Sequence, residues 1–290
     1  MLSAHHVQGN AGPNDTLNVG DRLAAYVIDG TLGQGGMGMV YRAHTDADAT
    51  TVALKVLKSH LASDETYRRR FLHEVRSARE VRHRHLVPIL DSGEADGSAY
   101  LTMPCMVGGS LEDRFKSGPI TVAELLRMVS EVASGLDALH KQGIIHRDIK
   151  PANIMFDQTG SAAVADFGLA KSEAYTLLTQ VGQVLGTLDY MAPEIVEGKP
   201  ATAHSDVYAF GCVVFECVSG SPPFGDKSVF EVGLAHLQEP PPDPCAGRDD
   251  LPSEFSWAVL QALAKEADRR PPTATAYSNM LSLATGPRRL

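Results

Sequence analysis

The stretch HRDIKPANIM, residues 146–155, sets an acid (Asp148), a cation two residues on (Lys150) and an amide five residues past the acid (Asn153) on one short segment. The apolar pair Ile154 and Met155 closes it. Transfer of a phosphoryl group needs an acceptor for the incoming hydroxyl's proton, a cation beside the migrating phosphate and an oxygen ligand for Mg²⁺. These residue types meet all three needs if a loop holds them fixed. Their partners must come from the rest of the chain.

The 290 residues are enough for one large domain or two lobes. A net charge of −9 argues against a nucleic-acid-binding surface as the main function. The cysteines (Cys105, Cys212, Cys217, Cys245) lie far apart without a CxxC pair, which reads as reduced thiols of a cytosolic protein. No run of about 18 apolar residues appears. Residues 1–17 are polar, lack an apolar signal core and read as a disordered tail.

Ordered structure is expected from about residue 18. Gly20 to Gly30 alternates loosely and reads as a strand. GQGGMGMVYRA follows, with glycines at 33, 35 and 38. A dinucleotide-binding turn would need a helix directly after Gly38. Met39 to Ala43 is instead β-rich and is followed by the turn-like Thr45-Asp46-Ala47-Asp48 and the strand TTVALKVLK. The glycines therefore fall in a hairpin, where backbone N–H groups can close over phosphate without Cβ obstruction. Lys55, inside that apolar strand, either snorkels to solvent at an edge or points into a cleft.

Residues 64–82 read as a helix, with Phe71, Val75 and Ala78 on one side. Glu74 there is either solvated or a partner for Lys55. His83 and His85 lack the further ligands a metal would need and read as loop residues before a strand, Leu86 to Leu90. AYLTM (99–103) is a further strand. It runs into PCMVGGS, where composition turns from strand-rich to helix-rich.

Thr121 with Glu124 makes a capping box. The helix behind it carries Leu125, Leu126, Val129, Val132, Ala133, Leu136 and Leu139 as a stripe ending near Gly143. After Met155 a hairpin through Asp157 and Gly160 leads to Asp166-Phe167-Gly168. A threonine-bearing loop, 169–185, and GTLDYMAPE, 186–194, follow. SDVYAFGCVVFECVSG, 205–220, is apolar on nearly all faces and reads as a buried helix, with Ser205 as its cap and Asp206 at its start. A carboxylate there needs donors. A last helical pair spans about 253–283, interrupted at Arg270-Pro271-Pro272.

A glycine hairpin, an in-strand lysine, a helical glutamate 19 residues later, then HRDIKPAN, DFG and APE in series resemble the eukaryotic-like protein kinases, within them the bacterial Ser/Thr kinases of the PknB type. The resemblance covers roughly residues 18–284. It implies an α+β bilobal fold: a β-rich N-lobe with one major helix, about 18–104, and a helical C-lobe, about 107–284, with 285–290 a tail or the start of a linker. It implies a Ser/Thr protein kinase that uses ATP and Mg²⁺, with Mn²⁺ as a substitute, and that autophosphorylates.

Carried over residue by residue, the segment Gly33, Gln34, Gly35, Gly36, Met37 and Gly38 would cover the ATP phosphates. Lys55 would hold the α- and β-phosphates and Glu74 would be its partner. Asp148 would be the catalytic base, Lys150 the lysine near the γ-phosphate, and Asn153 and Asp166 the metal ligands. Val40, Ala53 and Met155 would sandwich adenine, with Leu32 at the mouth and Met103 as gatekeeper. Pro104 would offer a carbonyl and Met106 an N–H. Proline at 104 departs from the family's usual glutamate and puts inter-strand pairing there in doubt.

Lys150 two residues past Asp148 is the Ser/Thr pattern, and Thr187 would bond Asp148 and Lys150. Asp206 would hold the catalytic loop, and Glu194 would pair with Arg270. Arg147, read as unpaired beside the base, invites a phosphate on the 169–185 loop. Thr179 is the favoured site and Thr176 the second, ahead of Ser172 and Tyr175. Arg70 is either a second phosphate contact or a solvated helix charge. The expected partners are ATP and proteins bearing Ser or Thr, not nucleic acid. A homodimer through the N-lobe is a family property. The expected location is the cytoplasm, with a membrane involved only if a longer native chain continues past 290. A pseudokinase would require a broken catalytic residue, and a small-molecule kinase sits poorly with the intact GT and APE segments.

Overall fold

The structure, a computed structural model, describes residues 16–35, 38–58, 65–167, 188–248 and 250–286. Gly36, Met37, Gly168, Thr176, Thr179, Ser172, Tyr175 and Thr187 lie outside them, as does the side chain of Arg70. The chain divides into two compact units, Met1–Leu72 with Leu90–Cys105, and His73–Ile89 with Met106–Leu290.

The first unit is built on a six-stranded antiparallel sheet. Its strands are β1 (Arg22–Leu23), β2 (Tyr26–Gln34), β3 (Gly38–Thr45), β4 (Asp48–Leu57), β5 (Asp91–Ala95) and β6 (Ser98–Pro104). Their order is β1-β2-β3-β4-β6-β5. The single strand expected over Gly20–Gly30 is two, because Ala24 turns at φ 51° between them. Tyr41, Ala43, Val52, Leu54, Val56 and Tyr100 are buried together on one face. Strand alternation sends their neighbours to the other face.

Helix α1 (Glu65–Arg79) follows, with Phe71, Val75 and Ala78 buried as the stripe predicts. The expected strand Leu86–Leu90 is absent. Leu86 and Val87 are buried, but only a single bridge to Val164 forms. Pro88 lacks the N–H that a ladder needs, and pairing resumes at Asp91 as β5. Val87 N–H reaches Val164 O at 2.9 Å, and Ala78, Val81 and Leu86 join the hydrophobic core of the second unit. These contacts fasten residues 73–89 to that unit.

The second unit is helical around α3 (Val122–Lys141) and α5 (Ala203–Ser219). Helix α2 (Leu111–Lys116), capped by Ser110, precedes them, and the hairpin β7 (Ile154–Phe156) and β8 (Ala162–Val164) lies between them. Helices α4 (Pro193–Val196), α6 (Val229–Gln238), α7 (Ser253–Ala262) and α8 (Ala274–Ala284) complete it. The Thr121/Glu124 capping box forms, and Leu125, Val129, Val132, Ala133, Leu136 and Leu139 are buried. Helix α5 is buried on nearly every side, as its composition demands. It begins earlier than expected: Thr202 is the N-cap and Ser205 closes the capping box from the first turn.

Candidate active site

Each unit carries one part of the predicted site. In the first, β2 and β3 form the glycine hairpin, with Gly33 opposite Val40 and Gln34 opposite Met39. Gly35 N–H bonds Gly38 O at 2.8 Å. Gly38 admits no side chain, since a Cβ there would lie 2.0 Å from Val56 O. Gly33 meets nothing within 4 Å, so the backbone there stays open to a ligand.

Direct cross-strand partners share a face. Val40 opposes Lys55, Lys55 opposes Leu101, and Ala53 opposes Met103. Val40, Ala53, Lys55 and Met103 therefore share the sheet face opposite the Tyr41–Leu54 core. Lys55 is only 6% exposed, which removes the reading of a solvated edge lysine. Leu32 is exposed. Pro104 remains in register with Val52, so the pairing that proline put in doubt continues to the end of β6.

In the second unit α3 ends where Gly143 enters the left-handed region at φ 71° and Ile144 N–H returns to Leu139 O at 3.1 Å. The segment HRDIKPANIM begins two residues later. Ile149 and Ile154 are buried in the core and anchor it. Asp148 keeps a carboxylate only 8% exposed. Lys150 Nζ stands 3.2 Å from Asp148 Oδ2. Asn153 Nδ2 donates to Asp148 O at 2.7 Å and to Asp148 Oδ2 at 2.9 Å.

Both contacts use the amide nitrogen of Asn153 and leave its oxygen out of them. That oxygen and the Asp166 carboxylate are hard donors of the kind Mg²⁺ takes. Asp166 is placed by its neighbour: Ala165 N–H bonds Asn153 O at 2.9 Å, and Ala165 O faces His146 Nε2 at 2.9 Å. Asp166 itself sits at φ 61°, a conformation held only where the surroundings over-determine it.

Asp206, in the first turn of α5, accepts His146 N–H at 2.8 Å and Arg147 N–H at 2.9 Å. Helix α3 adds a contact that the sequence reading passes over: His140 Nε2 lies 2.7 Å from Asp206 Oδ2. Arg147 is not the unpaired arginine expected, because its Nη1 lies 3.8 Å from Glu74 Oε1. Glu194 receives both terminal nitrogens of Arg270 at 2.8 Å and Ser205 Oγ at 2.6 Å. Burial alone would raise the Glu194 carboxyl, but the bonds from Arg270 and Ser205 outweigh it and hold it below the usual range.

A cavity of about 410 Å³ opens beside Asp148. Ile149, Met191, Ala192, Ile195 and Pro200 make its apolar wall. Tyr190, on the same wall, donates to Glu216 Oε2 at 2.6 Å, and burial pushes the Glu216 carboxyl up to about 7.

Residues 26–278 match the family model described as a protein kinase domain. The chain belongs to the protein kinase family. It is 37% identical over 253 residues to the serine/threonine-protein kinase PknH of Mycobacterium tuberculosis, a match covering 87% of this chain and 40% of that protein. It is 36% identical over 252 residues to PknE of the same organism, covering 87% of this chain and 44% of that protein. The chain thus spans about two fifths of the curated relatives it matches. Its structure is similar to the crystal structure of the Mycobacterium tuberculosis PknI kinase domain, with a TM-score of 0.74 and 28% identity. That likeness covers 93% of this chain and all of that one.

Proposed function

We propose that the chain transfers the ATP γ-phosphate to Ser or Thr hydroxyls of proteins, itself included. The observation that carries this reading is the Asp148 carboxylate, held within reach of Lys150 and Asn153 on a segment anchored by Ile149, Ile154 and Asp206. Asp148 accepts the proton of the incoming hydroxyl. Lys150 stands close enough to its carboxylate to neutralise charge on the migrating group. Lys55 holds the α- and β-phosphates and Glu74 is its partner, while the Gly33–Gly38 hairpin covers the phosphates with backbone N–H groups. Leu32, Val40, Ala53, Met103, Pro104, Met106 and Met155 receive adenine.

Asn153 and Asp166 would hold the divalent ion, Mg²⁺ with Mn²⁺ as a substitute, which supplies charge neutralisation at the phosphates. The apolar cavity beside Asp148 suits side chains that neighbour the acceptor hydroxyl in a polypeptide and favours protein over small-molecule acceptors.

Regulation enters at Arg147. A phosphate on Thr179, or on Thr176, would compete with Glu74 for the guanidinium. Among the described residues no helix is long and apolar enough to cross a membrane. We place the chain in the cytoplasm, alone or as part of a longer anchored protein. A homodimer through the first unit belongs to the same proposal. Phosphosite mapping by mass spectrometry before and after Mg²⁺-ATP tests the reading. Phosphate on Ser or Thr, with Thr179 foremost, supports it, and its absence from every protein present refutes it.

A further inference from the structure

We propose that His236 is a positioning residue for the protein acceptor: it holds the turn Leu188–Tyr190 and, through it, the wall of the cavity beside Asp148. The acceptor half of the inference rests on the kinase reading above, and the placement of the turn does not.

The cavity wall is one short run of chain. Tyr190, Met191, Ala192 and Ile195 line the cavity. The run is fastened at its far end, where both terminal nitrogens of Arg270 bond Glu194. Its near end is the short helical turn Leu188–Tyr190, closed by Met191 N–H on Leu188 O at 3.0 Å. A turn that short does not persist by itself and needs a hold from outside. The Tyr190 hydroxyl on Glu216 fixes a side chain. The turn as a whole packs on α6.

His236, in the last turn of α6, is fully buried there. Its backbone is pinned by Lys265, whose Nζ donates to Ala235 O at 3.0 Å and His236 O at 2.9 Å. Its Nδ1 lies 2.8 Å from the Tyr208 hydroxyl on α5. The rings of Phe224 and Tyr208 meet it edge-on at 5.0 and 5.6 Å. Burial, with the Lys265 ammonium nearby, pushes the imidazole down to about 3, so it is neutral and carries one hydrogen.

The surroundings decide which nitrogen has that hydrogen. The ring lies against the backbone carbonyls of Asp189 and Leu188. With Nδ1 taken by the Tyr208 hydroxyl, Nε2 is the nitrogen those carbonyls address, and only Nε2–H suits them. Yet Nε2 is buried and, among the described residues, closes no hydrogen bond. A buried donor left open is costly, and such bonds tighten when a ligand settles the segment. His236 and the turn therefore form a bond poised to close as an acceptor polypeptide seats against Tyr190 and Met191. A histidine that only filled the core would need neither nitrogen, because phenylalanine could meet both rings edge-on in its place.

The test compares the chain with His236→Phe, which keeps the ring packing and removes both nitrogens, and His236→Gln, whose amide can reach about as far as Nε2. Nitrogen NMR of the imidazoles, amide hydrogen exchange at Met191, and KM for ATP and for a basic protein acceptor are measured. The unmodified chain is expected to show the His236 hydrogen on Nε2. H236F is expected to speed exchange at Met191 and to raise KM for the acceptor about ten-fold, with KM for ATP within about two-fold. H236Q is expected to recover most of both. Should H236F fail to fold, Tyr208→Phe, which takes away the hydroxyl that orients the ring, is read in the same way. A hydrogen on Nδ1 overturns the proposal. So does unchanged Met191 exchange in H236F, an H236Q no better than H236F, or a KM for ATP that rises in step with that for the acceptor. If the unmodified chain transfers no phosphate, the kinase reading fails, while the nitrogen spectrum and the exchange comparison still decide whether His236 holds the turn.

Discussion

Arg270 is the residue whose replacement tests the second unit most sharply. Its guanidinium has five N–H donors, and each has an acceptor. Nε bonds Ala264 O at 2.8 Å; Nη1 bonds Glu194 Oε1 and His204 O; Nη2 bonds Glu194 Oε2 and Lys265 O. The side chain is fully buried, and its guanidinium carbon lies 4.8 Å from the centre of the Tyr208 ring. A lysine ammonium has three donors and no planar fork. Arg270→Lys therefore strands at least two buried acceptors, at about 1–3 kcal/mol each, partly offset by relaxation. We expect a loss of about 2–4 kcal/mol, or a thermal midpoint roughly 5–15 °C lower. Arg270→Met leaves the Glu194 carboxylate buried without its cation and should cost about 3–5 kcal/mol. Adding Glu194→Gln to Arg270→Met should return part of that loss, because the stranded charge goes. Thermal unfolding followed by circular dichroism reads all three variants. An Arg270→Lys protein within about 0.5 kcal/mol of the unmodified chain would refute the argument that the five-donor geometry, rather than charge alone, sustains this region.

Glu216→Gln should change how stability depends on pH. With the folded carboxyl at about 7 against an ordinary 4.5, its contribution is fully present below about 4.5 and is lost as pH rises through 7. The variant lacks that loss, so its stability should match the unmodified chain near pH 5 and exceed it at pH 8, by at most ~3 kcal/mol. Asp137 accepts the N–H groups of Ala274 and Thr275, both at 3.0 Å, at the start of α8. Asp137→Ala should cost about 1–2 kcal/mol in the same unfolding experiment, as a lost cap does. Gly38→Val would put a Cβ against the Val56 carbonyl, so weakened ATP binding by calorimetry and a lower midpoint are both expected.

What the chain writes locally is legible from it. The glycine hairpin shows because Met39 to Ala43 is β-rich. The stripe of α3 shows because its apolar residues recur at helical spacing, and the Thr121/Glu124 box because capping is a contact three residues long. Where an outcome depends on distant residues, spacing misleads. Leu86 and Val87 are apolar because they join the core of the second unit, so the run resembles a strand that Pro88 prevents. Ser205 looks like a cap, yet Thr202 begins α5 and Ser205 turns its hydroxyl to Glu194. The candidate site divides in the same way. Asp148, Lys150 and Asn153 lie on one segment and can be read together. The Arg147–Glu74 and His140–Asp206 contacts join residues 73 and 66 positions apart, and nothing in the intervening sequence announces them.

In the proposed reaction Asp148 takes the proton of a protein hydroxyl during transfer from ATP. Asp148→Asn keeps the shape of the side chain and a carbonyl oxygen near Lys150 but removes the base. Purified chain and variant are given Mg²⁺-ATP and a generic basic protein, and phosphate incorporation is counted alongside ATP binding. Incorporation on Ser or Thr should fall by about 10²-fold or more in the variant while ATP binding stays within about three-fold. Equal incorporation by chain and variant, or none by the unmodified chain, would contradict the account.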